Sequence, residues 1–330
     1  CGGLPGIEPG CPRLILDVRE LPLAGEQCIP DTLSQELGGT PTWTPGTATD
    51  AVIWPRAHLG KDFTARCLSL GTLALKPGGR LWCAARKAKG GKTIAAAMKA
   101  LVGNVEVRKR NRGYHLYCSE VVAPDIDTAR ANLNASYEVT HPLLAHPFKT
   151  VPGVFSRTHL DRGTAALMAF LTTHLAGKPR PKRVLDLCAG VGPLTLWAAQ
   201  TWPQTQVLAV DSNILAAALI PHNARVAGCE ERVTVHLGDG IAKVPRPVAR
   251  HRGRFQLALV NPPTHAPVDA FASLLTPLKS WLMPGRSAWI VVNRSGRLQR
   301  ILRDSGATVE VHCVPGFELV HAIWGETADT

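Results

Sequence analysis

The chain has 330 residues, 45% of them hydrophobic and 19% charged, an ordinary globular composition that argues against disorder. That length is enough for two domains, each with its own core. A formal net charge of +12 favours a polyanionic partner such as nucleic acid and says little about fold.

The nine cysteines form no Cys-x-x-Cys pair and stand at no zinc-like spacing from a histidine. Neither a metal site nor a disulfide framework is expected, and a reducing, cytoplasmic setting suits them. No apolar run reaches membrane-spanning length and no signal peptide opens the chain, so no membrane partner is expected. The chain starts at Cys1 without methionine, so a native amino terminus upstream is an expectation.

Residues 1–50 are rich in Gly, Pro and Thr, with one short strand predicted at 13–17. Ala51-Val52-Ile53-Trp54 reads as a buried strand ended by Pro55. A helix is predicted over 63–75, a turn at Lys76-Pro77-Gly78-Gly79, a strand over 81–85, an alanine-rich helix over 94–101, and strands at 105–107 and 114–118. Between Lys76 and Arg112 lie eleven Lys or Arg against one acid, Glu106. That density reads as a phosphate-binding surface, with Arg86, Lys87, Lys89, Lys92, Arg108, Lys109, Arg110 and Arg112 as candidate contacts.

Residues 1–122 form the first expected domain, 123–150 a linker with a short helix, and 151–330 the second domain. In the second, strands at 183–187, 206–210, 232–236, 255–260 and 287–292 alternate with helices from Pro193, after Asn213, over 268–282 and over 295–304. A last pair of strands is predicted near 308–313 and 319–324. Such alternation predicts a doubly wound, mainly parallel α/β sheet. The chain also repeats itself. At a constant offset of 207 residues, Trp54-Pro55-Arg56-Ala57-His58 falls on Asn261-Pro262-Pro263-Thr264-His265, Pro77-Gly78 on Pro284-Gly285, and Trp82 on Trp289. The expectation is two tandem Rossmann-like domains, each a mainly parallel twisted sheet flanked by helices.

In the second copy, Val184-Leu185-Asp186-Leu187-Cys188-Ala189-Gly190-Val191-Gly192-Pro193 runs from a hydrophobic strand through a glycine turn into a helix. Gly190 and Gly192 would let a ligand approach the backbone. Asp211 ends the next strand 21 residues after Gly190, placed to accept from both ribose hydroxyls. Gly238-Asp239-Gly240 ends the following strand, where an adenine edge could be read. A dinucleotide fold is the rival, but its third glycine is Thr195 here, and Asp186 would repel a pyrophosphate. A carboxylate there suits a cationic amino group, such as the methionine end of S-adenosylmethionine. Phe255 to Val260 is a buried strand stopped by Pro262 and Pro263. It leaves the Asn261 side chain and the Pro262 carbonyl as two fixed acceptors for an NH2 group. An aspartate at 261 would keep an acceptor of nearly the same shape.

Together these motifs resemble the ordered motifs of class I S-adenosylmethionine-dependent methyltransferases. Upstream, Pro152-Gly153-Val154-Phe155-Ser156-Arg157, Leu160-Asp161 and Gly163-Thr164 resemble the lead-in of the small-subunit ribosomal RNA guanine-N(2)-methyltransferases. Members of that family carry a degenerate methyltransferase-like domain before the catalytic one. The resemblance implies that Asp186, Gly190, Gly192, Asp211 and Asp239 hold the cofactor, beside Cys188, Ala189, Ser212, Gly240 and Asn261. Phe155, Asp161, Gly163 and Thr164 would close the pocket. Asn261 and Pro262, within Asn261-Pro262-Pro263, would orient the target amine, and His265 matches the family. Thr264 departs from it, because an aromatic residue usually stands there to stack on the base.

The first copy lacks this machinery: Leu16-Asp17-Val18-Arg19-Glu20-Leu21-Pro22 replaces the glycine turn and Trp54 replaces the orienting Asn. It should bind no cofactor and grip RNA instead. The implied enzyme is a monomer acting on ribosomal RNA or the small subunit. Methylation of a large-subunit guanine, an adenine or a protein glutamine stays open, as does a non-catalytic RNA-binding assembly factor.

Overall fold

The computed structural model describes residues 13–14, 28–29, 45–54, 59–263 and 267–325. They form two compact units. The first takes in the described residues up to Tyr137 together with Val151–Phe155, and the second takes in Glu138–Thr150 and the chain from Ser156.

In the first unit, β1 (Ala48–Ile53) leads through α1 (Lys61–Ala74) to β2 (Leu75–Arg86), and α2 (Lys92–Val102) leads to the hairpin of β3 (Glu106–Asn111) and β4 (Tyr114–Glu120). The sheet order is β1-β2-β4-β3. Only β1 and β2 are parallel among these pairings, so the expectation of a mainly parallel sheet fails for this unit. The reason is local. Asn111 pairs with Tyr114, leaving Arg112-Gly113 as a two-residue turn with φ of 44° and 80°, and such a turn joins only antiparallel strands. The predicted turn at 76–79 is instead absorbed into β2, with Gly78 at φ 76° and a register shift against Ala48 and Asp50. Leu68, Leu81, Met98, Leu101 and Tyr117 build the core.

The stretch 123–150, expected to carry a short helix, has one. Asp125 caps α3 (Ile126–Asn134) by accepting from the Thr128 N–H at 2.9 Å, a contact worth about 1 kcal/mol. Ala129 and Leu133 are buried, and the buried Arg66 guanidinium of α1 donates to the Leu133 carbonyl.

The second unit follows the predicted alternation closely: α4 (Arg162–His174), β5 (Arg183–Leu187), α5 (Pro193–Thr201), β6 (Gln206–Asp211), α6 (Ile214–Val226), β7 (Val233–Leu237) and β8 (Phe255–Val260). Next come α7 (Val268–Leu275), α8 (Leu278–Trp281), β9 (Leu282–Val292), α9 (Gly296–Asp304), β10 (Ala307–Val314) and β11 (Phe317–Trp324). The single helix predicted over 268–282 is broken before Pro277, which has no N–H to continue it. The seven strands are ordered β7-β6-β5-β8-β9-β11-β10, with β11 antiparallel to both neighbours and the remaining pairs parallel. Leu187, Val210, Phe255, Trp281 and Ile290 lie in its main core. The strand order reverses between β5 and β8, which is where open α/β sheets bind ligands.

The internal repeat extends to strand register. Ala48 pairs with Leu75, Ala51 with Leu81, Val52 with Trp82 and Ile53 with Cys83; 207 residues later, Phe255 pairs with Leu282, Ala258 with Ala288, Leu259 with Trp289 and Val260 with Ile290. Each set contains a register shift at the same place. The order of the last four strands, β8-β9-β11-β10, also matches β1-β2-β4-β3 in direction.

Candidate active site

Three strand ends are level in the second unit. Leu187 of β5 pairs with Val210 of β6 and with Val260 of β8, so Cys188, Asp211 and Asn261 follow in one row at the carboxyl edge. Adjacent strands lie about 4.8 Å apart, so the row gathers all three motifs around one crevice.

Asp186 lies one turn of the pleat below this row and is fully buried. Its Oδ2 accepts from the Thr195 hydroxyl at 2.6 Å, while its buried Oδ1 has no hydrogen-bond partner. Burial pushes its carboxyl up from 3.8 to about 7, with the Thr195 hydrogen bonds pulling the other way and Asp211 adding a little. A buried acceptor left unsatisfied is costly, and a cationic donor there would relieve it. The donor set therefore fits an amino-acid end such as that of S-adenosylmethionine. Thr195, noticeable in the sequence only as a missing glycine, is a residue the motif reading missed.

The turn after β5 is held open by its neighbours. Cys188 sits at φ 64°, a conformation costing a non-glycine residue about 1–3 kcal/mol and common at ligand sites. Gly190 follows at φ 57° with nothing within 4 Å of a would-be side chain, so its face is open to a ligand. The Gly190 N–H donates to Asp211 Oδ2 at 2.7 Å, and the Asn213 N–H donates to Asp211 Oδ1 at 2.8 Å. Asp211 thus ties the glycine turn to the start of α6, a task its position alone did not reveal. Ala189 donates to the Val210 carbonyl, and Gly192 opens α5 as its N-cap. Ser212 lies between Asp211 and the α6 cap, Asn213.

Gly238 donates to the Asp211 carbonyl at 2.9 Å, which docks the third loop beside the second. A Cβ at Gly238 would stand 2.5 Å from His236 Nε2, so a larger residue would have to displace the His236 ring. Asp239 is exposed and Gly240 is buried.

Asn261 is held from a different direction. Its Nδ2 donates to Asp161 Oδ2 and to Thr164 Oγ1, each at 2.8 Å. Asp161 also caps α4, its Oδ2 accepting from the Thr164 N–H at 2.9 Å. Gly163, between them, has Val291 and Phe317 against it, and a Cβ there would meet both at 3.2–3.3 Å. An ionised carboxylate only accepts, so the amide nitrogen is the end that must face it. The Asn261 carbonyl oxygen is left pointing elsewhere. Pro262 is buried and Pro263 exposed; Thr264 and His265 lie outside the described residues. Phe155 groups with the first unit, where it is 68% exposed. A separate cleft of about 410 Å³ lies at the opposite, amino ends of the strands, lined by Arg183, Arg232, Arg250 and Arg254 among others. Two of these are engaged already: Arg232 donates to the Ala199 and Thr205 carbonyls, and Arg183 lies 3.3 Å from His251 Nδ1.

In the first unit, Arg86, Lys87, Lys92, Arg108, Lys109, Arg110 and Arg112 are all exposed, and Arg108 pairs with Glu106. The side chain of Lys89 is outside the described set. The replaced glycine turn at 16–22 lies outside the described residues, while Trp54 is described and follows β1 directly.

The methyltransferase small domain model matches residues 145–320. Ribosomal RNA small subunit methyltransferase C of Pseudomonas entomophila (strain L48) is 30% identical over 288 residues, covering 85% of this chain and 81% of that protein. Ribosomal RNA large subunit methyltransferase G of Ectopseudomonas mendocina (strain ymp) is 34% identical over 158 residues, covering 46% of this chain and 40% of that protein. Among solved structures, a T. Thermophilus 16S rRNA N2 G1207 methyltransferase (RsmC), in complex with AdoMet and guanosine, superposes with a TM-score of 0.80. It is 22% identical, over 95% of this chain and 82% of that one, and speaks for the fold. With a model matching more than half of the chain and a relative aligned along most of both chains, the chain belongs to the methyltransferase small domain family.

Proposed function

We propose that this chain transfers a methyl group from S-adenosylmethionine to the exocyclic amine of a guanine in small-subunit ribosomal RNA. The observation that carries the chemistry is the fixed amide of Asn261. With its nitrogen committed to Asp161 and Thr164, its oxygen is an acceptor of set direction at the carboxyl edge of β8. The names of the related small-subunit methyltransferases supply the substrate class.

A guanine amine is a poor nucleophile because its lone pair is delocalised into the ring. Acceptors from Asn261 and the Pro262 carbonyl would hold its two hydrogens and turn the lone pair outward. When bound, S-adenosylmethionine supplies an electrophilic methyl on sulfonium sulfur. Asp186 would take its amino group and Asp211 its ribose, with the open Gly190 turn giving it room. The methyl would pass from the sulfonium sulfur to the held amine nitrogen, leaving S-adenosylhomocysteine, and the proton would leave the cationic amine afterwards without a strong base. Positioning is the main contribution, for which about 7–11 kcal/mol is available in principle.

The shared register at an offset of 207 residues supports a duplicated domain, of which the first copy has lost its cofactor motifs and serves to hold RNA. We read the enzyme as a cytoplasmic monomer; among the described residues no helix is long and apolar enough to cross a membrane. The test is methyl transfer to small-subunit RNA, free and assembled, with the product nucleoside identified by mass spectrometry. N2-methylguanosine is the expected product; label on adenine, protein or nothing would overturn the reading.

A further inference from the structure

The position that carries Asn261 in the second unit carries Trp54 in the first, by identical strand register. Trp54 is 58% exposed, and Val52 on the same strand is 49% exposed. An indole left this open is unusual, because large aromatic groups are buried wherever packing allows. It is not alone. Its ring centroid lies 6.3 Å from that of Tyr114, with the planes 27° apart. Tyr114 opens β4 and pairs across the sheet with Arg86, the last residue of β2. The Arg86 guanidinium carbon lies 5.1 Å from the Tyr114 ring centroid, within cation–π range.

Cations surround this group. Lys87 follows Arg86, begins a π-helical turn (Lys87–Gly91), and donates its N–H to the Gly113 carbonyl at 2.9 Å. That bond pins the Arg112-Gly113 turn beside Tyr114. Arg110 pairs across β4 with His115, one residue on from Tyr114. Lys87, Arg110 and Arg112 are all exposed, and among the described residues no ion pair is seen at any of them. An apolar ring face set among exposed cations does not suit a core. It suits an unpaired base, whose two faces are aromatic and whose neighbours are phosphates.

We propose that the carboxyl end of the first unit's sheet is a nucleobase-stacking site, in which an unstacked RNA base lies on the open face of Trp54. The adjoining phosphates lie on Lys87, Arg110 and Arg112. Stacking of this kind is tolerant of base identity. The site thus holds single-stranded RNA without choosing the nucleotide to be methylated. This inference rests on the reading that the first unit binds RNA, and it names which feature of the RNA is held.

The test uses the full chain and a fluorescently labelled, unstructured RNA oligonucleotide, with a duplex of equal length as control. Trp54→Ala should weaken single-strand binding about 5- to 150-fold, the range set by one lost base stack. Trp54→Phe should recover most of it, and duplex binding should stay the same because its bases are already stacked. The salt dependence should not change for Trp54→Ala. It should flatten when Arg108, Lys109, Arg110 and Arg112 are replaced together by Ala, by nearly one in slope per lost phosphate contact. If that fourfold variant weakens binding and Trp54→Ala does not, the stacking site is wrong and the RNA-holding reading survives. If neither changes binding, the RNA-holding reading itself fails. Equal losses on single strand and duplex would also overturn the proposal. So would a shift in self-association by sedimentation with RNA affinity intact, which would make the indole a protein contact.

Discussion

Asn261 and Asp161, 100 residues apart in sequence, are joined by a 2.8 Å hydrogen bond in which the amide nitrogen donates to the carboxylate. Thr164 accepts the second amide hydrogen at the same distance. The residue expected to wall the cofactor pocket thus also sets which end of Asn261 faces the substrate.

This relationship changes what an isosteric substitution at 261 does. Asn261→Ala should lower the single-turnover rate by at least about 100-fold, the loss expected from a displaced near-attack geometry, with cofactor affinity kept. Asn261→Asp keeps the shape but places a second carboxylate within 2.8 Å of Asp161 Oδ2, so a simple rescue is not expected. The two carboxyls would share one proton, as close like charges do. The Asp variant should therefore be most active at the acid end of its range. The paired variant Asp161→Asn with Asn261→Asp restores a donor facing an acceptor, and should be faster than either single variant at neutral pH. A double variant no faster than the product of the single losses would mean that Asp161 does not aim Asn261.

Asp186 predicts opposite pH trends for stability and binding. Its folded carboxyl titrates at about 7, above the ordinary 3.8, so the folded protein holds a proton that the unfolded chain releases between those values. Stability without cofactor should fall as pH rises through that window. A cationic amino group prefers the ionised carboxylate, so S-adenosylmethionine affinity should climb as pH rises from about 6 to about 7.5. Thermal melts with and without cofactor across that range test both trends. Asp186→Asn should abolish both and weaken binding; a pH-dependent affinity that persists in the Asn variant would assign the titration elsewhere.

Asp211→Ala should do two things at once. Loss of hydrogen bonds to the ribose should cost about 1.5–3 kcal/mol of cofactor affinity. The Gly190 and Asn213 N–H groups also lose their acceptor, so the protein without cofactor should melt lower. Differential scanning calorimetry of the cofactor-free variant separates the terms. An unchanged melting temperature with weakened binding would restrict Asp211 to the ribose.

Titration calorimetry should give one S-adenosylmethionine per chain, bound by the second unit. Two equivalent sites would overturn the loss of the cofactor motifs from the first.

Much of the second unit was legible because its strands announce themselves. Phe255 to Val260 is mostly apolar and is stopped by Pro262 and Pro263, and the observed strand has those bounds. The first unit misled in strand direction, since a parallel sheet and a hairpin differ only in the Arg112-Gly113 turn, whose arginine hides a left-handed backbone. The contact between Asp161 and Asn261 had no local signature, although Asp161 was readable as a helix cap three residues before Thr164. The Thr195 bond to Asp186 was hidden for the same reason: a hydroxyl in the first turn of a helix has many ordinary uses.

The level row of Cys188, Asp211 and Asn261 ties the chemistry to the ends of three adjacent strands of the second unit's sheet. Each of these residues ends or directly follows a parallel strand, so its position is set by β5, β6 and β8 and not by a lid. Amides in such strands open to solvent only when the whole unit opens. Hydrogen exchange at Leu187, Val210 and Val260 should accordingly report the same free energy as global unfolding of the second unit. Heat inactivation should then coincide with that unfolding, with no earlier loss of the site.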